Sequence, residues 1–319
     1  VSDRATADRG AGRRGSDRVA AVDCGTNSIR LLIADLVQGE LVEVDRRMTI
    51  VRLGQGVDAT GAFAPAALER VFTASDEFAA AIRAAGATRS RFVATSAARD
   101  VSNRHEFFAG IAERFGVEPD IISGAEEAEL TFRGATSGLA ALEVPGPYLV
   151  ADIGGGSTEL VLGDAAGVRA AESLDIGSVR LTERHVTSDP TLPDELAAIT
   201  KDVDALLDTT TVPIGQARAL VGVAGTVTTV AAVALKLPEY DRARIHHARI
   251  SGPVLRDTTA WLTSSSRAER SAVRSIHPGR VDVLGAGALI LQRLYDRMAV
   301  DEVLVSEHDI LDGVALSLG

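Results

Sequence analysis

Tyr148-Leu-Val-Ala-Asp152-Ile-Gly154-Gly155-Gly156-Ser157-Thr158-Glu159-Leu-Val-Leu162 is the stretch on which the reading of the chain turns. An apolar run ends on an aspartate, three glycines and two hydroxyls follow, and the chain becomes apolar again. The pattern predicts a strand, a tight turn and a second strand, with a carboxylate at the lip. Glycine lets a backbone approach a ligand closely and adopt positive φ, so successive N–H groups can form a concavity for an anion. An aspartate beside phosphate oxygens is badly placed unless a cation lies between them. That pairing points to Mg²⁺, or Mn²⁺ in its place.

The pattern occurs twice. Val19-Ala-Ala-Val-Asp23-Cys-Gly25-Thr26-Asn27-Ser28-Ile-Arg30-Leu-Leu-Ile33 superposes on it with a shift of 129 residues, which sets Asp23 on Asp152, Gly25 on Gly154 and Ser28 on Ser157. Working outward, each copy is followed by predicted strands and helices in the order β-β-β-α-β-α. That predicts a duplicated α/β architecture with a ligand cleft between the copies. The first half reads as residues 19–140 and the second as 141–319, with the two prolines of 138–147 marking the seam. In the first half, Pro65–Ala85 and 103–115 read as helices, and 91–96 and 117–123 as strands. In the second, 190–208 is an amphipathic helix, 219–224 a buried strand and 227–237 a buried helix. Beyond that, 279–298 is the longest helical piece before a last strand at 302–306. Residues 1–18, polar and without an apolar h-region, read as a disordered tail rather than a signal peptide.

The 319 residues, 46% hydrophobic and 24% charged, suffice for two domains with cores of their own. A net charge of −11 supplies no global field for a polyanion, so DNA is excluded as a partner and any phosphate must be held locally. The basic residues are almost all arginine, with lysine only at Lys201 and Lys236, which argues against Schiff-base chemistry. A single cysteine, Cys24, leaves no internal disulfide and fits a reducing cytoplasm. The uncharged run 219–235 is broken by Gly222 and Gly225 and reads as buried core, so no membrane association is expected.

These motifs, with Gly222-Val-Ala-Gly225-Thr226, resemble the phosphate and nucleoside motifs of the sugar-kinase, chaperone-ATPase and actin superfamily. More narrowly, the chain resembles the exopolyphosphatase/guanosine pentaphosphate phosphohydrolase (Ppx/GppA) family. The matching stretches are Asp23-Cys-Gly-Thr-Asn-Ser28, Arg52-Leu-Gly-Gln-Gly56, Thr95-Ser-Ala-Ala-Arg99-Asp100-Val-Ser-Asn103, Ile122-Ser-Gly-Ala-Glu126-Glu127-Ala-Glu-Leu130, Asp152 to Glu159 and Gly225-Thr226. The resemblance implies duplicated ribonuclease-H-like (actin/sugar-kinase-like) domains, a homodimer, and Glu127 as the catalytic carboxylate. It implies release of the terminal phosphate of inorganic polyphosphate, short chains rather than long ones, or of the 5′-terminal phosphate of guanosine pentaphosphate.

Phosphoryl transfer to water needs charge neutralisation, positioning and an oriented water. On that chemistry Glu127 is the base, and Asp152 a Mg²⁺ ligand or second water-orienting carboxylate, with Asp23 and Glu159 supporting the metal. Thr26, Asn27, Ser28, Gly155, Gly156, Ser157, Gly225 and Thr226 bind phosphate oxygens, and Arg99 binds the terminal phosphate bidentately. Two other classes stay open: a kinase of the same superfamily with ATP on Gly225-Thr226, and a non-catalytic polyphosphate or nucleotide sensor. Plainer readings hold elsewhere. Arg30, at the repeat position of Glu159, reads as an exposed strand residue, and His246-His247 as a loop pair pointing apart. Ser306-Glu-His-Asp-Ile-Leu-Asp312-Gly313 departs from the family's Leu-Arg-Glu-Gly pattern, which puts that segment's role in doubt.

Overall fold

The computed structural model describes residues 17–95, 98 and 101–319. The first half contains β1 (Asp17–Cys24), β2 (Ser28–Val37), β3 (Glu40–Ile50), α1 (Val57–Thr60), α2 (Pro65–Ala85), β4 (Arg89–Ala94), α3 (Arg104–Phe115), β5 (Asp120–Ile121) and α4 (Gly124–Ala135). The second opens with β6 (Tyr148–Ile153), β7 (Thr158–Asp164), β8 (Gly167–Leu174), α5 (Ser178–His185) and α6 (Pro193–Thr209). It continues with β9 (Ala219–Val223), α7 (Ala224–Ala234), α8 (Arg242–Ile245), β10 (Arg249–Ser251) and α9 (Gly252–Ser264). It ends with α10 (Arg267–Ser271), α11 (Leu284–Tyr295), β11 (Glu302–Val305) and α12 (Ile310–Leu316).

The first sheet runs β3-β2-β1-β4-β5, and the second β10-β11-β9-β6-β7-β8. In both, an antiparallel three-stranded meander is extended by parallel strands on its first strand: β4 on β1, and β9 on β6. Apart from the edge strand β10, the second sheet repeats the order of the first, which is the duplicated ribonuclease-H-like arrangement. Local chemistry explains the elements. Pro65 pre-sets φ at the start of α2, Leu68, Val71, Phe78 and Ala79 bury one helical face, and Gly86 ends the helix at φ 70°.

Two helices tie the halves together. On α4, Leu130 packs with Val19 and Ala21 of β1 and with Ile310 and Val314 of α12. Its Ala128, Phe132 and Ala135 pack on Val150, Val161 and Val221 of the second sheet. α4 and α12 cross at backbone contact: a β-carbon on Gly134 would lie 1.9 Å from the Asp309 carbonyl oxygen, and one on Gly313 1.9 Å from that of Leu130. Gly313→Ala is therefore expected to force α12 off α4 and to destabilise the protein by about 1–3 kcal/mol, measured as a fall in Tm.

The segment expected to be one helix over 279–298 is helical only over Leu284–Tyr295, after a 3₁₀ turn at Pro278–Arg280. The Arg280 side chain is drawn out of that turn to the Gly225 carbonyl oxygen and Thr229 Oγ1, and those tertiary bonds hold the turn away from a continuous helix. β1 begins at Asp17, two residues inside the stretch read as a tail, and β10 is a strand that periodicity did not reveal.

Candidate active site

Both glycine turns are closed by the same hydrogen bond, Gly25 N–H to the Ser28 carbonyl and Gly154 N–H to that of Ser157, each 3.0 Å. The start of α5 pins the second turn from behind. Ser178 N–H donates to the Gly154 carbonyl, Val179 and Arg180 N–H to that of Gly155, and Arg180 Nε to that of Gly156. With their carbonyls held there, the Gly155 and Gly156 amides have no acceptor among the described residues. The two turns face each other closely. A β-carbon on Gly156 would lie 3.4 Å from Thr26 Oγ1, and one on Gly155 3.5 Å from Asn27 Cβ.

Between the turns lies a cavity of about 120 Å³, several times the ~10–15 Å³ that one water needs. It gathers Asp23, Thr26, Asn27, Ser28, Glu127, Asp152, Gly155, Gly156, Ser157, Glu159, Gly225 and Thr226. Of the residues singled out from sequence, only Arg99 lies outside the described residues. Glu126 and Glu127 divide as neighbours at a helix start do. Ser123 Oγ caps α4 by accepting the Glu126 amide, the Glu126 side chain pairs with Arg91 on the surface, and Glu127, 8% exposed, turns into the cavity. The partial positive charge at the start of α4 favours a carboxylate there.

Strand register exposes an asymmetry between the copies. In the first, Asp23 faces Arg30 across β1 and β2; in the second, Asp152 faces Glu159 across β6 and β7. Opposite charges so placed attract and like charges repel. Arg30 donates from Nη2 to Asp23 Oδ2 at 2.6 Å and also bonds Asp309. Burial works against its charge, but Asp309, Asp23 and Asp152 together raise its pKa, so it stays a cation. Among the described residues no guanidinium bonds Asp152 in this way. Burial, then Glu159 and Asp309, push its carboxyl well above the usual range, Arg30 opposes them and Glu127 adds to them. Burial also raises Asp23, against Arg30, and Asp23 Oδ1 is buried with no hydrogen-bond partner.

An orphaned carboxylate oxygen, a repelling carboxylate pair and an all-oxygen donor set fit a hard divalent cation. Among the described residues no three acidic or histidine side chains converge tightly enough to cage an ion. The fit is therefore to a cation that keeps most of its water, as Mg²⁺ does.

Three residues of the site escaped sequence reasoning. Arg30 is half-buried and ion-paired, not exposed; its register with Asp23, equivalent to that of Glu159 with Asp152, was the available signal. Asp309 reaches the site from the segment whose role was in doubt. Arg280 lines the cavity and approaches Gly225 so closely that a β-carbon there would lie 1.9 Å from Nη2. It has no carboxylate partner among the described residues, and burial foremost depresses its pKa. Nothing in the sequence marked it.

The histidine reading is also corrected. His246 and His247 do not point apart; their rings stack at 3.6 Å, and His308 lies 4.4 Å from His246. His247 adopts φ 63°, which breaks the alternation that separates neighbouring side chains in extended backbone.

Beyond Arg30, Gly225 and Arg280 the cavity adjoins a second chamber of about 490 Å³. Arg46, Arg242 and Arg274 stand in its walls together with Met48, Tyr240 and Ile276. No helix of the described residues is long and apolar enough to cross a membrane.

Facing glycine turns, clustered carboxylates and half-buried guanidinium groups define a duplicated α/β protein built to handle phosphoryl groups. A profile of the Ppx/GppA phosphatase family matches residues 32–318. The chain is 49% identical over 316 residues to exopolyphosphatase 2 of Mycobacterium tuberculosis, covering 94% of this chain and 98% of that one. It superposes on the crystal structure of an exopolyphosphatase-like protein with a TM-score of 0.90, at 44% identity, covering 95% and 98%. Over 166 residues, 52% of this chain and 33% of the relative, it is 34% identical to the guanosine-5′-triphosphate,3′-diphosphate pyrophosphatase of Vibrio cholerae. The chain belongs to the Ppx/GppA phosphatase family.

Proposed function

We propose that the protein is a Mg²⁺-dependent exopolyphosphatase that releases orthophosphate from the end of short inorganic polyphosphate chains. The observation that carries this reading is the cavity beside Glu127 adjoining, past Arg280, a chamber with arginine in its walls. The terminal phosphate sits in the cavity and the rest of the chain runs toward the chamber. The Gly155 and Gly156 amides and the hydroxyls of Thr26, Ser28, Ser157 and Thr226 donate to phosphate oxygens, with Asn27 beside them. Such donors stabilise charge spread over the transferring group. Glu127 orients the attacking water and accepts its proton. Arg280, half-buried and without an acid partner among the described residues, neutralises the leaving phosphate. A divalent ion, when bound, offsets the charge of the substrate and of Asp152, with Glu159 and Asp23 supporting its waters. Mn²⁺ offers the same oxygen chemistry.

A second substrate is favoured by a specific feature. Met48, Tyr240 and Ile276 give the chamber apolar wall as well as arginine, and its volume is within the usual range for a small-molecule site of about 300–1,000 Å³. That suits the nucleoside of guanosine pentaphosphate, in keeping with the name of the Vibrio relative. Comparison of kcat/KM for short polyphosphate and for the nucleotide decides; the first is expected to be higher. A higher value for the nucleotide would reverse the assignment, and no orthophosphate from either would reject the hydrolase. Arg280→Met is expected to raise KM for both substrates by about tenfold, the loss of one charge-assisted contact. An unchanged KM would remove Arg280 from substrate binding.

The family resemblance also supports a homodimer, and the lone buried Cys24 suits a cytoplasmic location. Light scattering at micromolar concentration tests the first: a mass near the 33.3 kDa of one chain would reject it.

A further inference from the structure

Asp309 stands where the chain's last helix enters the site of the first half. It is 5% exposed and bonds Arg30 Nη1 from the side opposite Asp23. Arg30 uses three of its five N–H groups in this way: Nε and Nη2 on Asp23 Oδ2, and Nη1 on Asp309 Oδ2. Two donors remain, and the guanidinium stands on the wall shared by the catalytic cavity and the arginine-lined chamber.

Asp309 is itself firmly held. Its Oδ1 accepts the Leu311 amide, and its own amide donates to Asp312 Oδ2 in a reciprocal cap of α12. Asp312 is in turn bonded by Arg46 of β3. The carbonyl oxygen of Asp309 lies against Gly134 of α4. Contacts within α12 and from β3 and α4, three elements in all, thus hold Asp309 in place, whereas Arg30 is a long side chain on a single strand with considerable rotamer freedom to lose.

We propose that Asp309 is a positioning residue for the hydrolysis: it stretches the Arg30 guanidinium across the wall between the two chambers, so that the remaining N–H groups meet the phosphate next to the reacting one. Asp23 alone would draw the guanidinium back against β1. The inference rests on the hydrolase reading above. It also assigns a role to the segment 306–313, where the chain departs from the family's pattern.

A carboxylate so near a polyanionic substrate has a second effect. It repels the bound ground state while ordering the cation that the transition state needs. Its removal should therefore tighten binding and slow turnover together, a signature that simple loss of packing does not produce.

Asp309→Asn tests this, because asparagine caps a helix about as well as aspartate. On short-chain polyphosphate, kcat is expected to fall about tenfold through lost orientation, and KM to fall about threefold through relieved repulsion. Tm should stay within about 2 °C of the unmodified protein. In an Arg30→Lys background the same change should alter kcat by less than about twofold, because the partner it orders is gone. An unchanged kcat, a raised KM, or an equal loss of kcat in the Arg30→Lys background would overturn the proposal. Should Asp309→Asn fail to fold, Asp309→Ser, which also caps, carries the same expectations and the same refutations. Absence of orthophosphate release by the unmodified protein would be a separate result, striking the hydrolase reading itself.

Discussion

Glu127→Gln is expected to lower turnover on short-chain polyphosphate by about 10²–10⁴, the usual contribution of a positioned general base, with KM little changed. Glutamine fills the same space and still bonds a water, but it accepts no proton. The neighbouring Glu126 is the internal control. It occupies the same helical turn and carries the same charge, yet pairs with Arg91 at the surface. Glu126→Gln should keep turnover within about twofold, since exposed ion pairs contribute only about 0–1 kcal/mol to stability and Glu126 does not face the cavity. Initial rates of orthophosphate release measure both. More than a tenth of the original turnover in Glu127→Gln would exclude Glu127 as the base.

Asp152→Asn should raise the Mg²⁺ concentration needed for half-maximal activity about 10–100-fold, as loss of a metal-orienting group does. A second readout needs no turnover. Asp152 and Glu159 are cross-strand neighbours, and such like-charged pairs cost roughly 0.2–1 kcal/mol. Without metal, the asparagine variant should melt at or above the temperature of the unmodified protein. On adding Mg²⁺ it should gain less, because the cation then relieves less repulsion. Melting curves with chelator and with Mg²⁺ check this. An identical Mg²⁺ requirement and an identical gain in Tm would remove Asp152 from the metal site.

Arg30 and Glu159 show how far the sequence reaches. The 129-residue shift already set them at equivalent positions, and the strand register of the structure then sets each opposite its aspartate. What the shift could not tell was that one position carries the cation and the other calls for one. That difference lies in where the Arg30 guanidinium goes, and its second partner, Asp309, is 279 residues away. The place of Glu127 at the cavity was legible because the Ser-Gly-Ala-Glu-Glu stretch that carries the family resemblance is a local motif at a helix start. Arg280 was not legible. A lone arginine after Pro-Gly has no periodicity, and only its bonds to Gly225 and Thr229 bring it into the cavity.

The histidines failed for a related reason. Alternation predicts that His246 and His247 diverge, and a single left-handed residue cancels that rule. Burial, then His308 and His247, lower His246 to about 3, so the stack is held by neutral rings rather than by charge.

By itself, then, the sequence determined the two glycine turns, the duplicated α/β halves and the carboxylates at their lips, because backbone conformation and strand alternation are set by neighbours a few residues apart. The tertiary structure decided which charges meet. α12, the last helix, packs on the first sheet and crosses α4 at Gly134 and Gly313, and that long-range contact delivers Asp309 to Arg30 and completes the wall of the site. The energy of such a pairing depends on distance and burial in three dimensions, and neither is written in the spacing of residues along a chain.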